Sequence, residues 1–254
     1  MARSFNGTSD YQSISLQLSS YQKLSLSCWC YWDSYANDDD LMFELSPNYG
    51  AEPGFIVDPN SASTKFDLYV SNTGGYNGGN FTRPSGGTWH HFLFWFDMTL
   101  GTSLETGCYV DGISQTLSQT FASDNSAFYF PDNRALYFMC RNNSTLFGAG
   151  DLAEVAMYPG IVLSASQAGS LSSGLSPLGV SPENLLFYFD EVRGLNDRLS
   201  SSTLTDSGTT IAAHPPIYYS IPPSYIMASA TVATLSVDIG MDEAAYQGTG
   251  VRVR

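Results

Sequence analysis

Charged residues are scarce in this chain, and positive ones most of all. Of 254 residues only 13% are charged, with 10 Lys and Arg against 24 Asp and Glu, a formal net charge of −14. So few cations exclude binding along a nucleic-acid backbone, which needs clustered Lys and Arg. The acidity itself reads as solubility and self-repulsion. No run of about 20 apolar residues occurs, so no membrane-spanning helix is expected. Met1-Ala2-Arg3-Ser4 leads into the first strand pattern without the apolar stretch of a signal peptide. That predicts a soluble protein made in the cytoplasm, whose sequons Asn6-Gly7-Thr8 and Asn142-Asn143-Ser144 carry no glycan. Glu and Lys, which long helices favour, are few. Cysteine is limited to 4 residues. Cys28 and Cys30 share one strand face without the geometry of an easy disulfide, and Cys108 and Cys140 lack zinc spacing, so all are expected to be small buried side chains.

What the chain does have is aromatic residues, at 14%, together with many Ser, Thr, Asn and Gly. This suits a β protein of short strands and polar turns. Trp89 to Asp97 is too short for a buried helix and is bounded by turn residues, so it reads as a strand. Phe92, Phe94 and Phe96 share one face, Leu93 and Trp95 the other. A strand apolar on both faces must be central and covered on each side. Cys108 to Val110 returns as its neighbour, and Asp111-Gly112 tolerates the positive φ of a tight hairpin. Strict alternation marks Tyr11 to Leu18 and Leu24 to Trp32 as further strands. Leu41 to Leu45, Gly54 to Val57, Lys65 to Ser71, Gln115 to Phe121 and Arg134 to Arg141 add short ones at sandwich-like spacing. Asn72 to Asn80, rich in glycine, is read as a hairpin loop.

Trp89-His90-His91 leading a strand to Asp97, followed by Tyr109-Val110-Asp111-Gly112, resembles the laminin-G-like branch of the concanavalin A-like jelly rolls. Phe5-Asn6-Gly7-Thr8-Ser9-Asp10-Tyr11 is similar to that family's opening strand and turn, and Gly150 to Tyr158 to its closing strand. The resemblance spans residues 5 to about 165 and implies an all-β, concanavalin A-like (laminin-G-like) jelly-roll β-sandwich. It implies no particular activity, because the fold hosts lectins, hydrolases, adhesion modules and structural domains.

Leu163 to Leu175 reads as a short helix with Ser164 as N-cap and Gly174 near its end. Ser181 to Ile217 then forms a closing module: an apolar run at Leu185 to Phe189, and strand, turn, strand from Asn196 to Gly208. This arrangement, ending Ala213-His214-Pro215-Pro216, is similar to one that accompanies laminin-G-like domains in bacteriophage open reading frames. Residues 1–215 are therefore assigned to the sandwich and 216–254 to a C-terminal extension, a Pro-rich connector and a strand-like tail. An orphan strand needs a partner for its backbone groups. Ile226, Val232, Leu235, Val237, Arg252 and Arg254 are the candidate docking residues on a neighbouring subunit.

The Glu-x-Asp-x-x-Glu strand of laminarinase-type hydrolases is missing, Asp190 and Glu191 are adjacent and diverge, and the odd spacing of Asp151 and Glu154 sends them to opposite faces. No enzyme is expected, and no catalytic residues are named. His90 and His91 belong to the core strand as hydrogen-bonded structural residues. Asp38, Asp39 and Asp40, with Asp151 in the closing motif, are the candidate ligands for calcium. Tyr76, Asn77, Asn80 and Phe81 could stack on and hydrogen-bond a sugar. The expected function is a non-enzymatic, homo-oligomeric component on the outside of a phage virion, as capsid decoration or tail part, whose partners are other virion proteins. The alternatives are an adhesin for host surface glycan and a glycan hydrolase with an unrecognised site.

Overall fold

The computed structural model describes residues 2–32, 41–45, 53–59, 64–72, 75–101, 104–123, 128–190 and 194–217. In chain order these form β1 (Ala2–Asn6), β2 (Tyr11–Gln17), β3 (Lys23–Tyr31), β4 (Phe43–Glu44), β5 (Gly54–Asp58), β6 (Lys65–Asn72), β7 (Gly75–Thr82) and β8 (Trp89–Asp97). They continue as β9 (Thr106–Val110), β10 (Ile113–Ser114), β11 (Ser118–Ala122), β12 (Asp132–Phe138), β13 (Ala149–Pro159), helix α1 (Ala165–Ser172), β14 (Phe187–Phe189), β15 (Thr205–Ser207) and β16 (Thr210–Ala212). Two antiparallel sheets result. Sheet 1 runs β10-β9-β8-β3-β13-β1-β16, with β14 also on β13, and sheet 2 runs β11-β7-β6-β5-β4-β12-β2-β15.

The two-faced pattern of β8 is realised as its phase requires. Phe92, Phe94 and Phe96 enter the core between the sheets, where Phe55 stacks on Phe96 at 4.6 Å and Phe66 meets Phe92 at 5.2 Å. Leu93, on the outer side, is buried with Ala168 and Leu171 of α1 and with Tyr158 and Tyr188. The helix is there because Ser164 and Gln167 form a capping box at its start, which satisfies two backbone donors that would otherwise be orphaned. Asp111 and Gly112 take φ of 51° and 78°, and the β9–β10 hairpin closes on them. All four cysteines are free and buried.

At one edge of the sandwich, two turns pass the chain between the sheets side by side. β1 lies in sheet 1 and β2 in sheet 2, joined through a turn in which Asn6 Oδ1 accepts from the backbone N–H groups of Thr8, Ser9 and Asp10. β15 and β16 repeat the move at the edge: β15 adds to β2 and β16 to β1. Gly208 sits between them, where an added methyl carbon would lie 2.3 Å from Asp10 Oδ1. The closing module is thus built into the sandwich, contributing β14 and β16 to sheet 1 and β15 to sheet 2.

From Gly75 onward the glycine-rich stretch, expected as a loop, is strand β7, paired with β6 on one side and with β11 on the other. Its glycines are there because strands approach closely: a methyl carbon on Gly79 would lie 2.3 Å from Ser118 O. Glycine inside a strand signals such close approach as readily as a loop.

Candidate functional site

Strand parity decides which of the sugar-binding candidates can reach solvent. On β6, Phe66, Leu68 and Val70 are in the core, so Asp67 and Tyr69 face outward from sheet 2. Across the ladder Asp67 pairs with Asn80, Tyr69 with Gly78 and Ser71 with Tyr76. Tyr76 and Asn80 therefore share the outer face, while Asn77 and Phe81 point inward. Phe81 stacks on Phe66 at 5.2 Å inside the core. Asn77 is buried and donates from Nδ2 to Glu105 Oε2 at 2.5 Å, tying β7 to the start of β9. Neither can stack on or cover a sugar, and both drop out as candidates.

The outer face brings in residues that the sequence pattern did not single out. Tyr137, Glu44, Ile56, Tyr69, Gly78 and Phe121 stand opposite one another in a line across six strands. Tyr69, Tyr76 and Phe121 converge around Gly78, with ring centroids 6.3 Å (Tyr69–Tyr76), 5.5 Å (Tyr69–Phe121) and 6.0 Å (Tyr76–Phe121) apart. Tyr69 is the buried floor, resting with Ile56 and Leu41, and Tyr76 and Phe121 are its half-exposed rim. The end of β11 is pinned by Ser123 Oγ, which accepts from Tyr76 N at 2.8 Å and donates to Tyr76 O at 3.0 Å. The next line of residues is polar: Asp58, Asp67, Asn80 and Ser118. A signal for Tyr69 was present in its phase, opposite to that of Phe66, Leu68 and Val70. Phe121 carried none, because a register shift in β11 sets its direction.

Beside this face, Arg141 Nε lies 3.1 and 3.0 Å from the two carboxylate oxygens of Glu44. Glu44 is fully buried, and burial outweighs the Arg141 guanidinium to hold its carboxyl up at about 7.

A second polar constellation occupies the outer side of sheet 1. β13 bulges between Ala153 and Ala156, so that Glu154 and Val155 together face Cys28. Val155 takes the core position. Glu154, at φ 55°, turns outward, which corrects the parity expectation that Asp151 and Glu154 diverge. Left-handed φ costs a non-glycine residue about 1–2 kcal/mol. The buried Glu154 carboxylate accepts from the Tyr188 hydroxyl on Oε2 and lies 3.0 Å from His214 Nε2 on Oε1. Asp190 is buried and pairs with Arg198 Nε at 3.1 Å.

The histidines of β8 are structural. His90 Nδ1 is 2.6 Å from Asp111 Oδ2, and Asp111 Oδ1 accepts from His91 N, so the hairpin turn is tied back to the strand. His91 is buried with Nε2 at 3.0 Å from Ser27 Oγ, and burial drives its pKa down to about 3. Asp151 stands opposite Tyr31 and Ser4 on sheet 1. Among the described residues no group of three or more His, Cys, Asp and Glu side chains is placed to hold a metal ion. Asp38, Asp39, Asp40, Ile226, Val232, Leu235, Val237, Arg252 and Arg254 lie outside the described residues.

Comparison with known proteins agrees with this architecture. The family model of the concanavalin A-like lectin/glucanases superfamily matches residues 6–169. No curated protein matches the chain in sequence. Among solved structures, a native heptameric SAP-like pentraxin from Limulus polyphemus superimposes with a TM-score of 0.57 at 11% identity, covering 84% of this chain and 94% of its own. A protein from Bacteroides ovatus assigned to carbohydrate binding gives 0.59 at 17% identity, covering 86% of this chain and 62% of its own. Domain 4 of the extracellular arabinanase AbnA from Geobacillus stearothermophilus, in complex with arabinotriose, gives 0.50 at 19% identity, covering 67% of this chain and 76% of its own. At such identities the likeness is one of fold.

Proposed function

From the chain's membership of the concanavalin A-like lectin/glucanase superfamily, we propose that it is a non-catalytic carbohydrate-binding module whose contact surface is the outer face of sheet 2. The observation that carries this reading is the ring cluster of Tyr69, Tyr76 and Phe121 around Gly78, bordered by the polar line of Asp67, Asn80 and Ser118. Half-exposed aromatic rings stack on the apolar faces of sugars, and adjacent amide, carboxylate and hydroxyl groups take up their hydroxyls. Non-catalytic action is supported by the carboxylates of Asp190 and Glu154, held by Arg198 and by Tyr188 with His214. Glycoside hydrolysis needs a facing pair of carboxyl groups across a cleft.

Isothermal titration against a panel of bacterial and plant glycans, arabinotriose included, tests the reading. Heat with at least one glycan is expected, lost in Tyr76→Ala and Phe121→Ala variants that melt like the parent. No heat with any glycan, or unchanged affinity in both variants, overturns it.

For the place of action we propose the one that the resemblance of residues 181–217 to a module in bacteriophage reading frames implies. We assign the protein to a virion exterior, where the glycan would be that of the host surface and the region 216–254 would dock on a neighbouring virion subunit. Mass spectrometry of purified particles decides this. Many copies per particle mean decoration and a few mean a tail adhesin, whereas absence from particles removes the virion assignment.

A further inference from the structure

Where the β1–β2 turn meets the β15–β16 turn, three side chains rich in acceptor oxygens gather at one corner of the sandwich. Gln12 is in phase with Ile14 and Leu16 on the core side of β2 and is 0% exposed. Asp206 of β15 stands directly opposite it, so the two side chains share that face. Asp10, two residues before Gln12 and also buried, turns its carboxylate toward the end of β15, where Oδ1 lies against Gly208.

The hydrogen bonds leave this corner without positive charge. Asp206 Oδ1 accepts from Gln12 Nε2 at 3.0 Å and from the Thr209 hydroxyl. Asp10 accepts from Ser9 Oγ at 3.2 Å on Oδ1 and from Asn6 N at 3.1 Å on Oδ2. All four donors are neutral, and among the described residues neither carboxylate has a Lys, Arg or His partner. A separate observation points the same way: Gln12 Oε1 is buried and has no hydrogen-bond partner. Turning the amide over would not help, because it would set Oε1 against Asp206 Oδ1, acceptor against acceptor. A buried carbonyl oxygen without a donor costs free energy. A water molecule would satisfy that oxygen but leave a buried and a half-buried negative charge uncompensated. A cation answers both.

We propose that this corner binds one calcium ion, ligated by Gln12 Oε1 and by the carboxylates of Asp10 and Asp206. Two carboxylates with an amide carbonyl form an oxygen-only set suited to a hard cation. Calcium accepts such a set in irregular geometry and completes its about six to eight ligands with hydroxyls and water, whereas magnesium demands a near-ideal octahedron. Asp10 and Gln12 stand at the start of the sandwich and Asp206 in its closing module, 194 residues beyond Gln12. The ion therefore clasps the closing module to β2.

Calorimetric titration of the full chain with calcium chloride, in about 0.15 M NaCl to screen diffuse attraction to the acidic surface, tests this. Saturable binding with a dissociation constant of about 0.1–1 mM is expected, together with a melting temperature that rises with calcium concentration. In NMR spectra of the same chain the side-chain amide of Gln12 should shift along the same binding curve. Asp206→Asn should weaken binding at least tenfold, whereas a chain carrying Asp38→Asn, Asp39→Asn and Asp40→Asn should keep it. No saturable binding up to about 10 mM calcium, well beyond the weak end of that range, overturns the proposal. A Gln12 amide that stays unmoved while calcium binds to the wild-type chain does so too, whether or not the variants fold. Binding that survives Asp206→Asn but is lost in the triple variant, or equal affinity for magnesium, also overturns it.

Discussion

Gly78 stands directly opposite Tyr69, so close that a methyl carbon on the glycine would lie 2.7 Å from Tyr69 Cβ and 2.2 Å from Leu68 O. The second neighbour is backbone and cannot swing aside. Gly78 also has φ 151°, a region that side chains rarely adopt. Gly78→Ala is therefore expected to destabilise the protein by about 2 kcal/mol or more and to separate the three rings. Urea denaturation reads the first effect. The second shows as weaker glycan binding in whatever fraction remains folded.

Phe81 and Phe121 lie on neighbouring strands, and their side chains point to opposite sides of sheet 2. Phe81→Ala opens a void against Phe66 and should lower stability by about 3–5 kcal/mol. Phe121→Ala removes a half-exposed ring and should cost about 1 kcal/mol or less while abolishing sugar contact. Finding the larger loss at Phe121 in paired denaturation curves would reverse the assignment of faces.

Burial holds His91 neutral down to about pH 3, whereas an unfolded imidazole takes up its proton near 6.5. Between these values the unfolded chain binds more protons, so stability is full above about 6.5 and falls as the pH drops toward 3. The loss attributable to His91 is on the order of 4 kcal/mol. Asp97, held below the usual carboxylate range mainly by Lys23 and Thr99 against the effect of its burial, adds to it in the same direction at the acid end. Denaturation at pH 7.5 and 4.5 should show a marked difference in the parent, reduced in a His91→Gln variant.

Glu44 has the opposite sign. Its carboxyl is raised to about 7, so the native state keeps a proton that the unfolded state has already lost, and this contribution fades as the pH rises from about 4.5 through 7. Removing Arg141 leaves the carboxylate buried without its cation. Arg141→Met is expected to cost about 3 kcal/mol or more at pH 8 and clearly less at pH 5, where Glu44 is protonated. Equal losses at the two pH values would mean that the Arg141 contribution is packing alone.

Alternation in the sequence determined most of the architecture. The period of two in β3 and β8, the double-faced aromatics of Trp89 to Asp97 and the Asp111-Gly112 turn are local signals, set by a side-chain period and by φ tolerance. The helix at Ala165–Ser172 was legible for the same reason, since Ser164 and Gln167 cap it from within four residues. What only the tertiary structure decided involves partners far apart in sequence, or departures from strict alternation. Glycines at 75, 78 and 79 read as a loop until β6 and β11 were seen to pass on either side. Tyr76 and Asn80 were separated from Asn77 and Phe81 by the register against β6. Phe121 joined Tyr69 through a register shift that no periodicity announces. Glu154 met His214 across 60 residues because one extra residue in β13 reversed the side to which it points. A side chain's face follows from its neighbours in sequence, but its partner follows from the register of strands, and that is settled only when the whole core packs.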